Sequence, residues 1–480
     1  MSRSLAVVDQ LLRSTRHPAA QGARRGRFRV ACRRAIGYDR ELNEYSLSGA
    51  AMTESNRVAI VRGLRTPFVK SSTLFARLDP LDLGKAVVTE LLQRTEIDPK
   101  EVQEIVFGIV IPMVKAANLA REIVLATGLP RTIPGHTVSR ACASSNTALT
   151  TGADMIHRGY ADTVVIGGAE SLSTVPILFS RRFAEILVAA SKAKTLAARL
   201  GLFSKLRPRD LAPDPPAIAE KSTGLTMGQS AELMAKANGI SREAQDKFAH
   251  QSHIRAARAW DEGRFADEVM SLPVPPAFDV VAERDNLVRP DTTYEALSKL
   301  KPVFDRKFGT ITAGNASPLT DGASAILLMS EAKAKANGFK PIGYLRSYAY
   351  AALDPFDQLL QGPVFAIPIA LERAGLTLKD IGVIEMHEAF AAQVLSNIQW
   401  LGSKKIAVEK LGRTEPVGDI DPEKINLTGG SIAIGHPFGA TGARIVTTVC
   451  NELQRTGEQF GLVSVCAAGA QGSAIVVERD

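Results

Sequence analysis

Apolar residues recur along this chain with two periods, and the two alternate. Short runs at 57–64 (RVAIVRGL), 104–110 (EIVFGIV) and 162–168 (DTVVIGG) have the length and β-branched content of buried strands. Between them, LDLGKAVVTELLQRT and NLAREIVLATGL space their apolar residues as helices do. The alternation predicts an α/β architecture, with sheets covered by helices. It resumes at 309, where TITAGNASPLTDGASAILLMS reads as a small-residue turn and a strand, and from 341 to the end the style of the first half returns. No repeat is strong enough to prove a duplication.

Between about 172 and 305 the rhythm breaks. Residues 180–209 hold eight Lys or Arg and one acid, with Ile186, Ala190, Ala193, Leu196, Leu200 and Phe203 at roughly helical spacing. This predicts a basic amphipathic helix or helix pair. It reads either as a helix packed on the body, or as a contact for a membrane surface or a polyanionic ligand. Helical stretches at 227–238 and 241–263 follow, the second carrying His250 and His253, read as surface or packing residues.

A chain of 480 residues is long for one core and predicts two or three lobes. Four scattered cysteines suit a reducing compartment and no disulfide scaffold, and no clustered Cys/His spacing suggests structural zinc. The net charge of +8 is concentrated in residues 1–51, where ten Arg face four acids. The body is therefore nearly neutral, and a nucleic-acid partner is not expected. That extension reads as an organelle transit peptide, a disordered basic arm, or translated sequence ahead of a true start at Met52. The last is favoured, because its acids suit a transit peptide poorly and the strand pattern begins just after Met52. A cytoplasmic location follows, or a mitochondrial one if 1–51 is a transit peptide.

Four residues carry candidate chemistry. In 137–160 (TVSRACASSNTALTTGADMIHRGY) a β-like run ends at Cys142 before a helix with Leu149, Ala153 and Ile156 on one face. A cysteine at a helix start can be a thiolate nucleophile, although a buried inert cysteine is the commoner outcome for such a stretch. In 383–400 (VIEMHEAFAAQVLSNIQW) a strand delivers His387 to a helix whose Ala391, Leu395 and Ile398 share a face. In 426–442 (NLTGGSIAIGHPFGATG) five glycines surround His436 and Pro437, ahead of a helix over 443–453. In 462–478 (LVSVCAAGAQGSAIVVE) Cys466 ends a strand. Two cysteines and two histidines, each at a strand end among small residues, supply what acyl transfer needs: a nucleophile, its base, a second acid/base and oxyanion donors.

At HEAF, GHPFGATG and CAAGAQG, following a Cys142 set among small residues, the chain resembles the thiolase family from about residue 57 to its end. Within it, the likeness is to 3-ketoacyl-CoA thiolase β subunits of fatty-acid oxidation complexes. The resemblance implies two similar halves in an αβαβα layered arrangement, with two helices buried between the sheets. The N-terminal half would take 52–171 and 306–330, an inserted loop domain 172–305, and the C-terminal half 331–480. Carried over, Cys142 is the acylated nucleophile, His436 its base, and Cys466 the second acid/base. His387 stands where many relatives have the asparagine of an oxyanion hole. Backbone N–H groups of Cys142 and Ala468 form the other hole, while Met227 and Ser317 lie in stretches that line the substrate pocket. Ala468 and Ala470 replace glycines common in relatives.

The implied reaction cleaves 3-ketoacyl-CoA with CoA, giving acetyl-CoA and a shortened acyl-CoA. No metal or redox cofactor is implied, and CoA and acyl-CoA are substrates. A homodimer or dimer-based oligomer, an α-type hydratase/dehydrogenase subunit and a peripheral membrane contact through 180–209 are expected partners. Two alternatives stand beside this: an acetyl-CoA C-acetyltransferase working toward condensation, and a non-catalytic carrier of lipid or CoA esters.

Overall fold

The computed structural model describes residues 57–213 and 219–480, and the main sheet starts at Val58; expectations for 1–51 lie outside the described residues. The first half runs β1 (Val58–Arg65), β2 (Val69–Lys70), α1 (Pro80–Thr95), β3 (Glu104–Gly108), α2 (Leu119–Ala126), β4 (Gly135–Val138), α3 (Ser144–His157) and β5 (Thr163–Glu170). Outside the main sheet follow α4 (Arg181–Lys192), α5 (Leu196–Phe203), α6 (Met227–Ala237), α7 (Arg242–Asp261) and a small pair, β6 (Leu272–Pro273) and β7 (Val281–Ala282). The chain then re-enters the sheet as β8 (Thr320–Ser330). The second half runs β9 (Gly343–Ala352), α8 (Gly362–Ala374), β10 (Val383–Met386), α9 (Ala391–Leu401), α10 (Thr441–Thr456), β11 (Phe460–Ala467) and β12 (Gln471–Glu478).

Local chemistry accounts for the helix starts. Asp79 caps α1 by accepting from Leu81 N and Asp82 N, both at 2.9 Å, and Pro80 occupies the first turn, where no N–H is needed. Leu83, Val87, Val88, Leu91 and Leu92 then form its buried stripe. On α7, Ser241 Oγ accepts from Ala244 N at 3.1 Å.

The strands form one path, β10-β11-β12-β9-β1-β8-β5-β3-β4, with β2 paired to β8. Its two halves match. In each, the first strand (β1 or β9) pairs antiparallel with the last (β8 or β12), which pairs antiparallel with a third (β5 or β11), and a parallel neighbour (β3 or β10) follows. Where β4 completes the first half, the isolated parallel bridge Ile384↔Ile425 stands in the second. The half-sheets join where Val58, Ala59 and Ile60 pair with Leu345, Tyr344 and Gly343. The duplication left no readable sequence repeat, because a shared fold needs only matching burial patterns.

Alternation along β1 sorts the layers. Val58 and Ile60 face a core shared by α3, α10 and inner residues of both half-sheets, including Ile166, Leu328, Val465 and Ile475. Ala59 and Val61 face a separate core with α1 and α2, and α8 and α9 cover the second half-sheet. This is the αβαβα arrangement. Because α10 lies in the middle layer, almost every residue of its first four turns is buried. At its start Gly442 meets α3: a Cβ there would fall on Asn146 Oδ1 and 2.8 Å from the backbone N of Asn146.

The basic stretch is a helix pair. Of its apolar residues, Ile186 and Ala190 are buried, whereas Leu196 (71 % exposed), Leu200 (60 %) and Phe203 (39 %) are left uncovered. The packed-helix expectation therefore fails for α5. On α9 the buried apolar residues are Ala391, Ala392, Val394, Trp400 and Leu401, with Leu395 and Ile398 only half-buried. His253 is buried, not a surface residue.

Candidate active site

The four residues singled out in the sequence fall on three turns and one strand end, all at the edge of the middle layer. Strand β4 stops at Val138, short of Cys142, and α3 begins at Ser144. A tight turn fills the gap: Ala141 adopts φ 45°, Ser144 Oγ accepts from Arg140 N at 2.8 Å, and it donates to Ala141 O at 2.7 Å. The turn holds Cys142 partly exposed, just ahead of the helix. Burial of Sγ pushes the thiol up to about 12, although the backbone N–H groups of Ala468 and of Cys142 itself pull the other way. Desolvation thus works against the thiolate that a helix start favours. It outweighs the donors and favours the thiol form.

His436 is delivered by a loop, not by a strand end. A short helix, Ser431–Ile434, precedes it, and its backbone bridges to Leu319. Its Nε2 lies 3.3 Å from Cys142 Sγ, and its Nδ1 lies 2.6 Å from Thr441 Oγ1. Thr441 Oγ1 also lies 3.0 Å from Pro437 O, and with its proton given there it accepts from His436 Nδ1–H. That leaves Nε2 with a bare lone pair facing the Cys142 thiol. Burial, with Arg444 second, pushes the imidazole down to about 3 and keeps it neutral.

His387 follows β10, its N–H donating to Ser464 O at 2.9 Å. Its ring centroid is 4.0 Å from that of His436, and one donor atom each of Cys142, His387 and His436 falls within 4.8 Å of the others. Nδ1 is held by Ser431 Oγ at 2.9 Å, while Nε2 is buried without a partner among the described residues. Burial, then His436 and Arg444, lower this imidazole well below the usual range. The next residue, Glu388, anchors the segment by accepting from Ser252 Oγ, Asn426 Nδ2 and Ile432 N at 2.7, 2.6 and 3.1 Å.

Cys466 is the penultimate residue of β11 and buried, and burial with the nearby Cys142 raises its thiol well above the ordinary value. Ala468 lies in the turn between β11 and β12, where Ala470 takes φ 56° and Gly469 φ 78°. Gly469 N donates to Glu220 Oε2 at 2.8 Å. Met227 opens α6 and packs on the cluster that contains Cys466 and Phe390. Ser317 N donates to Ala389 O at 3.0 Å, and two residues on Leu319 pairs with His436, so this segment links the two histidine loops.

Residues 58–332 match the family model for the thiolase N-terminal domain, and 339–479 the model for the thiolase C-terminal domain. The chain belongs to the thiolase family. It is 52 % identical over 424 residues to a 3-ketoacyl-CoA thiolase of Shewanella pealeana, covering 88 % of this chain and 97 % of that protein. A 3-ketoacyl-CoA thiolase of Escherichia coli is likewise 52 % identical over 425 residues, with the same coverage. Among solved structures, the acetyl-CoA acetyltransferase of Bacillus anthracis superposes with a TM-score of 0.77 at 32 % identity, covering 88 % of this chain and 99 % of that one. Human mitochondrial 3-ketoacyl-CoA thiolase gives 0.75 at 32 %, covering 89 % and 99 %.

In this thiolase, sequence reading missed the residues that hold the four in place. Glu170 closes β5 and accepts from Val110, Ile111 and Gly439 N–H groups, each at 3.0 Å, tying the His436 loop to the first half. Burial pushes its carboxyl up to about 7. Its signal was an acid ending an apolar strand. Arg444, wholly buried on α10, stood out only as a charge among small residues. Thr441 and Ser431 lay inside the quoted motif without a stated role.

Proposed function

We propose that this thiolase cleaves 3-ketoacyl-CoA with CoA through an acyl group on Cys142. The observation that carries the reading is the 3.3 Å approach of Cys142 Sγ to a His436 Nε2 whose other nitrogen is committed to Thr441. His436 takes the thiol proton as Sγ attacks the 3-keto carbon. The C2–C3 bond breaks, the leaving enolate takes the proton of Cys466, and acetyl-CoA departs. The Cys466 thiolate then takes the proton of an incoming CoA thiol, whose sulfur attacks the acyl carbon. Cys142 is released and recovers its proton from His436. Atoms and charge balance over the cycle without a metal or redox cofactor, and CoA enters as substrate. The raised Cys466 thiol suits a group that holds its proton until a carbanion demands it.

Two sets of donors would hold the developing oxyanions. The N–H groups of Cys142 and Ala468, which already act on Sγ, serve the acyl carbonyl, and the unpartnered Nε2 of His387 serves the thioester oxygen of the departing acetyl-CoA. Met227, which packs on the cluster containing Cys466, and Ser317, bonded to Ala389 O, are the expected lining of the substrate pocket. Rates of thiolysis on acetoacetyl-CoA and on a long-chain 3-ketoacyl-CoA test the reading. The structural likeness to an acetyl-CoA acetyltransferase supports condensation as a second reading, and a strong preference for acetoacetyl-CoA would favour it.

A homodimer is supported by the open edge of β4, which ends the sheet with four half-buried residues. The exposed apolar residues of α4 and α5 beside eight basic ones support a peripheral contact with an anionic membrane surface. No helix among the described residues is long and apolar enough to cross a membrane. An α-type hydratase/dehydrogenase subunit is the expected partner in a larger assembly, and the reducing cytoplasm the expected compartment.

A further inference from the structure

The structure assigns Ser431 the task of setting the tautomer of His387, so that Nε2 carries a proton and points a donor into the site. The inference rests on the acyl-transfer reading above and deepens it. Arg444 is fully buried and donates through its terminal nitrogens to Glu385 Oε2 and to Ser431 Oγ, both at 3.3 Å. A guanidinium has no acceptor, so Ser431 Oγ can only accept from it. The remaining close partner of that hydroxyl is His387 Nδ1 at 2.9 Å, and the hydroxyl proton therefore goes to Nδ1. The opposite arrangement would leave a wholly buried O–H with no acceptor. With Nδ1 accepting, a neutral His387 must carry its proton on Nε2, the nitrogen that has no partner among the described residues.

Two hydroxyls thus set two touching imidazoles in opposite senses. Thr441 gives its proton to Pro437 O and accepts from His436, which makes His436 Nε2 a base. Ser431 is loaded by Arg444 and donates to His387, which makes His387 Nε2 a hydrogen-bond donor. Glu385, two residues before His387 on β10, holds Arg444 in line. Ser431 is a positioning residue: it acts only through His387. An imidazole in place of a side-chain amide needs such a partner, because it can present either a proton or a lone pair to the same point.

Long-range proton–nitrogen NMR on the full chain labelled with ¹⁵N-histidine reads the tautomers directly, without substrate. His387→Asn serves only to assign the signal. The expected spectrum has His387 protonated on Nε2 and His436 on Nδ1. Ser431→Ala should shift His387 toward the Nδ1–H form and lower thiolysis kcat by about tenfold or more, up to the ~10²–10³ that a fully lost oxyanion donor costs. KM for CoA and the rate of Cys142 alkylation should stay near wild type, and Ser431→Thr should restore the tautomer. A wild-type His387 protonated on Nδ1 overturns the inference even if Ser431→Ala fails to fold, as does a Ser431→Ala protein with unchanged tautomer and kcat. Failure of the underlying reading shows elsewhere, as thiolysis that survives Cys142→Ala.

Discussion

Cys142 and His436 stand at corresponding places in the two halves, ahead of α3 and α10, and meet with Sγ 3.3 Å from Nε2. The duplicated fold therefore does chemical work: one half contributes the nucleophile, the other its base, and the paired helices between the sheets set their separation. Each side chain leaves a turn, not a regular strand. Small shifts in how α3 and α10 cross should register directly as lost activity.

Thr441→Val keeps the shape of the side chain and removes the acceptor for His436 Nδ1–H. With the tautomer free, thiolysis kcat should fall about 10- to 100-fold, part of the ~10²–10⁴ that a positioned base contributes. KM should change little, and Thr441→Ser should retain most activity. Steady-state kinetics of the three proteins decide it.

The resting Cys142–His436 pair is neutral, since burial lifts the thiol to about 12 and drops the imidazole to about 3. Inactivation by iodoacetamide, followed against pH, should climb about tenfold per unit from pH 6 to 9 without a plateau. A plateau near neutrality would mean a thiolate–imidazolium pair instead. Acyl-CoA should protect.

His253 is buried on α7, with Nδ1 accepting from Arg289 N at 3.4 Å. Burial, then Arg289 and His250, push it down to about 4. Its unfolded form takes up a proton near pH 6.5 that the folded form refuses until about pH 4. Its contribution is thus fully present above pH 6.5 and lost as pH falls through that window, by up to about 3 kcal/mol. His253→Gln should melt at a temperature that closes on, or passes, wild type as pH falls from 7 to 4.5. Thermal melts at several pH values measure the convergence.

Gly442→Ala places a methyl group against Asn146 where α10 meets α3. The side-chain clash can be relieved by rotation, but the 2.8 Å approach to the Asn146 backbone cannot. A loss of about 1–3 kcal/mol or more is expected, the cost of overpacking a core. Asn146→Ala in the same chain should rescue it only in part. Melting temperature and Cys142 alkylation rate report the two consequences, on stability and on site geometry.

Much of this was legible beforehand because burial writes itself into residue pattern. The runs that became β1, β3 and β5, and the apolar face of α3, could be read from periodicity alone. HEAF, GHPFGATG and CAAGAQG gave His387, His436 and Cys466 through their family likeness, with Cys142 read from its own small-residue setting, and the structure brings Cys142, His387 and His436 together. What the pattern could not carry was direction. A histidine's tautomer depends on which way Thr441 and Ser431 donate, and that depends on Pro437 O and on Arg444, neither of which sequence spacing connects to a proton. The burial of Cys142 Sγ was illegible for a similar reason. A helix start is visible in sequence, whereas the desolvation that outweighs it comes from elements hundreds of residues away. Likewise Leu196 and Leu200 have helical spacing, yet only the structure shows that nothing among the described residues covers them.

The central claim is an acyl group carried on Cys142, and trapping it is the most direct test. Enzyme mixed with a 3-ketoacyl-CoA in the absence of free CoA, then quenched in acid and digested, should yield the Cys142 peptide heavier by the shortened acyl chain. The adduct should disappear on adding CoA and be absent from Cys142→Ala. Full turnover with no adduct on Cys142, or an adduct on Cys466 that survives in Cys142→Ala, would contradict the account.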